Sequence, residues 1–349
     1  MKILFCVNWA VARLDEPDLH RFCADYISPV QPYWFFRHLC DRHTVDVIDF
    51  RGPFGLHRLE RSTVRCFPYQ SVKAFLRERR YDVVLSHGAQ TGLVHSLMSS
   101  LIGRNRPPHF LFDVGALNGG SANPAAVAAC RFAFRSLAGL IYHSSGQAQH
   151  YRAHFPELYA RSRFIPLGVD AGEFAPQGEA TEDQIICVGY AKRDWTTLLE
   201  AYSALRTKTR LVLLGMPQPH DPLPQGVMAV PRVNIAEMRQ WIARSRFVVL
   251  PIPDTPYSVG QQTLLQSMAL GKAVVASDIP ALRDYAADAM TACFYRPGDA
   301  GELTERMAYL LERPDVADDI GRCARQHVIN EFSESLMASR IMEFVSQAA

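Results

Sequence analysis

Short apolar runs alternate along the chain with longer stretches in which apolar residues recur at helical spacing. In the first half these runs are rich in β-branched and aromatic residues, which is typical of buried strands. The predicted strands read KILFCV, TVDVIDF, YDVVLS, HFLFDVG and LAGLIYHS, and helices are predicted over residues 32–41, 71–79, 92–102 and 123–135. Alternating helices and fully apolar strands predict a parallel, doubly wound α/β sheet.

The pattern is interrupted at RFIPLGVDAGEFAP, residues 163–176, where prolines and glycines break any regular element. A second series follows, with predicted strands DQIICVGY, TRLVLLG, RFVVLPI and AVVASD, a Pro-rich turn leading to Val230, and helices over 196–205, 235–245, 262–270 and 300–311. We therefore predict two Rossmann-like domains, over residues 1–168 and 169–330. A final helix within 331–349 is expected to pack back towards the N-terminal domain.

The composition is that of a soluble globular protein. The 349 residues are too many for one ordinary hydrophobic core, and 48% are hydrophobic against 21% charged. No apolar run approaches the roughly 18 residues that span a bilayer. Asn8 and Trp9 interrupt the apolar start, so we interpret residues 3–7 as a buried strand rather than a signal peptide. The eight cysteines are scattered without a CxxC pair, which argues against a zinc site and favours a reducing cytoplasm.

Positive charge is concentrated in the first half of the chain. Residues 1–170 carry 20 Lys and Arg against 13 Asp and Glu, a balance of +7, whereas residues 171–349 carry 17 against 22, a balance of −5. In the segment 51–80, eight cations are opposed only by Glu60 and Glu78. This segment is either a solvated basic face or a patch for anionic lipid headgroups or an anionic acceptor. Nucleic acid is disfavoured because no base-stacking or groove-reading module accompanies the charge.

The first candidate binding segment is GYAKRDWTTLL, residues 189–199. Gly189 permits a sharp turn after a predicted strand, and Lys192 and Arg193 precede a helix whose predicted N-cap is Asp194. Two cations beside a helix N-terminus at the carboxyl edge of a sheet favour diphosphate binding. An exposed basic turn capped by an aspartate would give the same local pattern.

The second candidate segment is YSVGQQTLLQSMALGKAVVASDIPALRD, residues 257–284. Gly260 lets backbone N–H groups approach a phosphate, and the helix predicted over residues 262–270 directs its dipole there. The buried stripe of this helix is predicted to be Leu264, Leu265, Met268 and Ala269. An ordinary helix–strand unit ended by Gly271 would give the same pattern.

Together these segments resemble the family 4 retaining glycosyltransferases, which have the GT-B fold. IICVGYAKRDWTTLLEAY resembles the family's entry into its donor domain, and FIPLGVDAGEF resembles its interdomain I-P-N-G-V-D…F linker, with Leu167 in place of Asn. LLQSMALGKAVVASDIPALRDY resembles the family's L-L-E-A-M-A-x-G-K-P-V-V-A-S stretch, and CFYRPGDAGELTERMAYLLERPD its P-G-D stretch. Four collinear matches are more specific than any one motif, and they favour the binding interpretation of both segments.

The resemblance implies a nucleoside-diphosphate sugar donor, with UDP or GDP as the nucleotide, and no metal or other cofactor. Lys192 and Arg193 match the positions that hold the donor diphosphate, and Arg193 would also stabilise the leaving group as a catalytic residue. Ser258 and Gln266 replace the glutamates of the family's Glu-x7-Glu motif, and Tyr190 replaces its usual arginine. The implied donor-binding residues are Gly189, Lys192, Arg193, Ser258, Gly260, Gln261, Gln262 and Gln266.

On the acceptor side, the resemblance places Asp113 where the family often has a histidine. A carboxylate there could bind an acceptor hydroxyl or assist its deprotonation, so Asp113 is a catalytic candidate, although an N-cap or loop role is equally open. His87, at the end of YDVVLSHG, is a second candidate, and a structural role for it is also open. The loop over residues 8–32 is expected to line the acceptor site.

The sequence therefore predicts a cytoplasmic glycosyltransferase that acts on a saccharide, a lipid-linked saccharide or a small-molecule hydroxyl, with retention implied by the resemblance. Contact with the inner face of a membrane would run through residues 51–80. The alternatives are a nucleotide-sugar 2-epimerase of the same fold and a non-catalytic nucleotide-sugar-binding subunit. NAD chemistry is disfavoured because no GxGxxG follows the first strand of either domain.

Overall fold

The computed structural model describes residues 1–13, 26–27, 38–39, 43–102, 105–115, 117, 123–189, 192–217 and 222–348. The chain divides into an N-terminal unit, Met1–Pro166 with Ser335–Ala349, and a C-terminal unit, Leu167–Glu334. Most of the predicted helix over 32–41, Tyr190 and most of the loop over 8–32 lie outside the described residues.

The N-terminal unit contains a six-stranded parallel sheet. The strands of the sheet are β1 (Lys2–Cys6), β4 (Thr44–Ile48), β5 (Val83–His87), β6 (His109–Asp113), β7 (Leu137–Tyr142) and β8 (Ser162–Phe164). Strands β2 (Ala12–Arg13) and β3 (Tyr26–Ile27) form a separate short antiparallel pair. The sheet order is β4-β1-β5-β6-β7-β8. This order reverses direction between β1 and β5, so the ligand-binding crevice of such a sheet is expected at their carboxyl ends.

Helices connect these strands as the hydrophobic pattern requires. They are α1 (Leu56–Thr63), α2 (Pro68–Arg77), α3 (Ala89–Ile102), α4 (Pro124–Ala133), α5 (Gly146–His154) and α6 (Pro156–Tyr159). Single turns of 3-10 helix occur at Pro53–Gly55, Glu78–Arg80 and Phe134–Ser136. Strands β5 and β6 are buried along their whole length, which explains why they read as continuous apolar runs.

The C-terminal unit contains a second parallel sheet of six strands. They are β9 (Gln184–Val188), β10 (Arg210–Leu214), β11 (Val227–Val230), β12 (Val248–Leu250), β13 (Val274–Ser277) and β14 (Cys293–Tyr295), in the order β11-β10-β9-β12-β13-β14. Its helices are α7 (Trp195–Leu205), α8 (Ile235–Ala243), α9 (Gln261–Ala269), α10 (Pro280–Arg283), α11 (Ala300–Glu312) and α12 (Pro314–Glu331). If the strands are numbered 1 to 6 by their position in the chain, they lie side by side in the order 3-2-1-4-5-6, which is the Rossmann order. The switch point is between β9 and β12.

The last helix, α13 (Glu334–Ala348), belongs to the N-terminal unit from Ser335 onwards. The ring of Phe344 packs edge-on against Phe110 of β6 at 5.4 Å between centroids. Among the described helices, none combines the length and the apolar character needed to cross a bilayer.

The predicted fold class, two doubly wound α/β units, is confirmed, and the structure corrects several local predictions. Residues 227–230 form edge strand β11 instead of ending a turn, because their backbone pairs in parallel with β10. Residues 163–164, predicted to begin the linker, instead belong to β8, which pairs with β7. Helix α12 lies in a segment where no helix was predicted. An edge strand depends on a pairing partner distant in sequence, which local periodicity does not reveal. Helix α12 was overlooked although its buried residues recur at helical spacing.

Candidate functional site

Two loops meet at the switch point of the C-terminal sheet. β9 pairs with β12 through Ile186–Val248 and Cys187–Val249, so the loops that follow these strands start side by side. The Asp194 N–H donates to the Pro251 carbonyl at 3.0 Å and joins the two loops directly. The Asp194 carboxylate also accepts from the backbone N–H of Thr197 at 3.1 Å, which confirms the predicted N-cap of α7.

Arg193 spans this crevice from one loop to the other. Its Nε donates to the Val188 carbonyl at 2.9 Å, and its Nη2 donates to Oγ1 of Thr263 in α9 at 3.1 Å. Burial lowers the pKa of the Arg193 guanidinium, because a charge is partly removed from water. A Cβ on Gly189 would lie 2.4 Å from this guanidinium, and the φ of Gly189 is +155°, so only glycine leaves room for the arginine.

Lys192 lies next to Arg193 in an unusual conformation. Its φ is +51°, in the left-handed region that residues other than glycine rarely adopt. The exposed side chain places Nζ 4.7 Å from the ring centroid of Tyr257, a cation–π contact with the loop after β12. A strained residue held by such a contact is typical of a functional site.

The N-terminal end of α9 forms the remaining wall of this crevice. Gly260 is its N-cap, with φ +84°, and no side chain caps the first turn through a hydrogen bond. Gln261 Nε2 donates to Ser258 Oγ at 2.9 Å, and Gln262 is half-buried. Gln266 lies one turn further along and is 5% exposed. The amide groups at the start of a helix attract anions, so this end of α9 complements the two cations.

These contacts bring together most of the residues proposed from sequence for the donor site: Gly189, Lys192, Arg193, Ser258, Gly260 and Gln261. Thr263 and Tyr257, the partners of the two cations, were not predicted from sequence. Both lie within residues 257–284, but only the tertiary contacts distinguish them from their neighbours. Among the described residues, no group of three His, Cys, Asp or Glu side chains is placed to hold a metal ion.

Asp113 lies at the end of β6 in the N-terminal unit and is completely buried. Tyr151 donates its hydroxyl proton to Asp113 Oδ2 at 2.5 Å, and the Gly115 N–H donates to Oδ1 at 3.1 Å. Burial and the negative charge of Asp113 raise the pKa of Tyr151 well above its usual value. These contacts favour a role in holding the loop after β6, and the catalytic role of Asp113 stays a prediction.

His87 ends β5 at the switch point of the N-terminal sheet. Its ring lies edge-on to Trp9 at 4.7 Å and stacks with Phe112 at 6.1 Å. Burial, together with the positive charge of protonated His143, lowers the pKa of His87 to about 3. His87 is therefore neutral near pH 7 and is suited to hydrogen bonding at that edge rather than to supplying a proton.

Comparison with known proteins agrees with this geometry. Residues 182–313 match the family described as "Glycosyl transferases group 1". The chain is 29% identical over 118 residues to α-maltose-1-phosphate synthase of Mycobacterium tuberculosis, covering 32% of this chain and 30% of that protein. It is 24% identical over 229 residues to the MMP α-(1→4)-mannosyltransferase of Mycolicibacterium hassiacum, covering 61% of this chain and 55% of that protein. The chain thus spans about a third to a half of the length of these relatives.

Solved structures resemble the whole chain at low sequence identity. Sucrose-phosphate synthase from Thermosynechococcus elongatus has a TM-score of 0.74 at 16% identity, with 99% of each chain covered. HepE from Anabaena, in complex with UDP and glucose, has a TM-score of 0.72 at 16% identity, with 99% of this chain and all of that chain covered. The chain therefore has the GT-B fold, and residues 182–313 of its C-terminal unit are similar to the group 1 glycosyltransferases.

Proposed function

We propose that this chain transfers a sugar from a nucleoside-diphosphate sugar to a hydroxyl acceptor, with retention at the anomeric carbon. The observation that carries this proposal is the meeting of Lys192, Arg193 and the start of α9 at the β9–β12 switch point. Two cations, or one cation and a helix N-terminus, can neutralise the negative charge of a diphosphate. In glycosyl transfer the nucleoside diphosphate is the leaving group, so the same charges also stabilise it as the sugar departs. UDP or GDP is the proposed nucleotide.

In the proposed mechanism, the residues of this crevice stabilise the nucleoside diphosphate as the leaving group. Arg193 is held in place before the donor arrives, by hydrogen bonds to Val188 and Thr263, so its charge needs little reorganisation as the diphosphate departs. Lys192 and the first amide groups of α9 add further positive potential. These groups neutralise the diphosphate in the proposed mechanism, which invokes no metal or other cofactor.

Ser258 and Gln266 are proposed to contact donor hydroxyl groups. Both side chains donate and accept hydrogen bonds, but neither places a full negative charge beside an oxocarbenium-like transition state. Hydrolysis or epimerisation through paired carboxylates is thereby disfavoured at these two positions, and so is the 2-epimerase alternative. A binding subunit without turnover is the second alternative, favoured by the replacement of both glutamates.

The N-terminal unit is proposed to bind the acceptor at its own switch point, between β1 and β5. Relatives support a saccharide or sugar phosphate, since their names specify maltose-1-phosphate and mannosyl products. Asp113 is proposed to act mainly by positioning the loop after β6, because its carboxylate is buried and bonded to Tyr151.

The test is a donor screen with purified protein against UDP-, GDP- and ADP-sugars, read by nucleotide release and by calorimetry. Turnover with one nucleotide and retained anomeric configuration are expected. Saturable nucleotide binding with no turnover across a broad acceptor panel would favour the binding subunit. Formation of the C2-epimerised nucleotide sugar would favour the epimerase, and absence of nucleotide binding would refute the proposal.

We further propose that the basic segment, residues 51–80, contacts an anionic membrane surface. Its two acidic residues are buried, Glu60 at 7% and Glu78 at 1% exposure, so its exposed charges are cationic. Large apolar side chains are exposed beside them, including Phe54, Leu59 and Leu76. This mixture suits the interfacial region of a bilayer.

Co-sedimentation with vesicles tests the membrane contact. Binding to phosphatidylglycerol-containing vesicles is expected to fall steeply with salt and to be weak on phosphatidylcholine alone. Paired substitution of Arg58 and Arg61 by Ser should weaken binding, whereas the same change at Arg232 and Arg296 in the C-terminal unit should not. Equal binding to neutral vesicles would contradict an electrostatic contact.

A further inference from the structure

An apolar groove of about 370 Å³ lies on the N-terminal unit among the end of α1, the start of α3 and helix α4. Its apolar lining includes Val64, Cys66, Leu93, Val127, Cys130 and Phe155. This volume lies within the roughly 300–1,000 Å³ of small-molecule sites. The groove is thus large enough to take part of a ligand, and its lining selects an apolar one.

One end of the groove reaches the switch point of the N-terminal sheet. Gln90 lines the groove, and its Oε1 accepts a hydrogen bond from Asn8 Nδ2, in the loop after β1, at 3.2 Å. The backbone carbonyl of Gln90 accepts from the Phe67 N–H at 2.9 Å and ties the same spot to the segment before α2. An acceptor bound at the β1–β5 crevice therefore has the groove directly beside it.

A cation lies at the rim of the groove. Arg65 lines it, is exposed, and has a φ of +54°, in the left-handed region that an arginine rarely adopts. The nearest acid in sequence, Glu60, is buried, and its Oε1 accepts from the backbone N–H of Tyr69. Val64, beside Arg65, is 55% exposed. The apolar lining is suited to a hydrocarbon chain, and the adjacent Arg65 is suited to an anionic group. Together they favour a ligand that carries both.

We propose that this groove binds the hydrocarbon chain of an amphiphilic acceptor whose phosphate or other anionic group lies against Arg65. This inference rests on the proposed function, since it names the class of acceptor that the N-terminal unit binds. Among the acceptors considered from sequence, it selects the lipid-linked class.

Thiol protection by decyl phosphate, below its micellar concentration, tests occupancy of the groove. Cys66 and Cys130 are partly accessible groove residues, whereas Cys323 on α12 is exposed in the other unit and serves as an internal control. Decyl phosphate is expected to slow alkylation of Cys66 and Cys130 by N-ethylmaleimide at least fivefold, measured by peptide mass spectrometry, and to leave Cys323 unchanged. Ethyl phosphate should protect neither groove cysteine.

Chain length and variants separate the groove from the basic surface around it. Affinity should rise about fourfold for each added methylene from hexyl to decyl phosphate, which corresponds to about 0.8 kcal/mol per buried group.

Ala126→Trp, which fills the groove from an exposed helix position, should abolish protection. Leu101→Asp, at an exposed apolar site on the far end of α3, is the matched control and should preserve it. Arg65→Gly suits the left-handed backbone, so it should fold normally and lower affinity about tenfold.

Two results would overturn the inference. The first is that Cys66 and Cys130 are alkylated at the same rate with and without decyl phosphate, even at the highest submicellar concentration. The second is that Cys66 and Cys130 do not react with N-ethylmaleimide even when decyl phosphate is absent. That result would show that another segment of this chain or a second copy fills the groove. UDP and GDP affinities, measured on the same samples, report the donor site separately. Normal binding of either nucleotide without protection rejects only the groove, whereas protection without binding of either nucleotide rejects the proposed function.

Discussion

Arg193 donates a hydrogen bond of 3.1 Å from Nη2 to Oγ1 of Thr263, a residue 70 positions later in the chain. The bond connects the loop after β9 to the first turn of α9, across the switch point of the C-terminal sheet. A cation fixed in this way is available to an anionic ligand without further ordering of its side chain, which favours binding.

Arg193→Ala should weaken UDP binding by about 1.5–3 kcal/mol if the guanidinium contacts the diphosphate, because a charge-assisted hydrogen bond is lost. Isothermal calorimetry on the purified variant measures the change. Arg296→Ala removes a 79% exposed arginine side chain of the same unit and should leave affinity unchanged. Equal affinity of the Arg193→Ala and wild-type proteins would remove Arg193 from the site.

Gly189→Ala should reproduce the loss seen with Arg193→Ala while keeping the arginine. A Cβ there would lie 2.4 Å from the guanidinium, so the side chain must leave its position between Val188 and Thr263. We expect at least a tenfold rise in the Kd for UDP. Gly298→Ala is the matched control, since its φ is +79° but nothing lies within 4 Å of the added Cβ. Similar Kd values for the two variants would contradict the steric argument.

Tyr151→Phe should lower the free energy of unfolding of the N-terminal unit by about 1–3 kcal/mol, because the buried Asp113 carboxylate loses a hydrogen-bond donor. Urea unfolding measures this change. If Asp113 only positions its loop, Tyr151→Phe and Asp113→Asn should reduce kcat to a similar extent. A far larger loss of kcat in Asp113→Asn would instead support direct proton transfer by the carboxylate.

The N-terminal unit should lose stability as the pH falls from about 6.5 towards 4. Burial lowers the pKa of His87 to about 3 and that of His143 to about 4, whereas an unfolded histidine titrates near 6.5. The unfolded chain therefore binds protons that the fold excludes, and stability is complete above about pH 6.5.

Each of these histidines contributes a slope of up to about 1.4 kcal/mol per pH unit in this window. Urea unfolding between pH 4.5 and 8, followed by hydrogen exchange of peptides from the N-terminal unit, measures the slope. Burial also lowers the pKa of His109 well below its usual value, so three buried histidines share the slope. His143→Gln should therefore reduce the slope by about a third, and His154→Gln, at a half-buried site on α5, should not. Parallel stability curves for wild type and His143→Gln would contradict the assignment.

The alternation of apolar strands with amphipathic helices was sufficient to predict both sheets and the position of α9. Strands such as β5 and β9 are buried on both faces, so each appears in sequence as a continuous apolar run. Edge strand β11 is only half-buried and was interpreted as part of a turn, since its identity depends on pairing with β10.

The sequence by itself determined the class of the fold, the cationic turn at residues 192–193 and the glycine that begins α9, because these depend on local periodicity and backbone freedom. Only the tertiary structure decided which side chains those groups contact. Thr263 under Arg193, Tyr151 on Asp113 and the burial of Glu60 and Glu78 all depend on residues far apart in sequence. Such contacts are fixed by the packing of helices on the two sheets, and no local pattern encodes that packing.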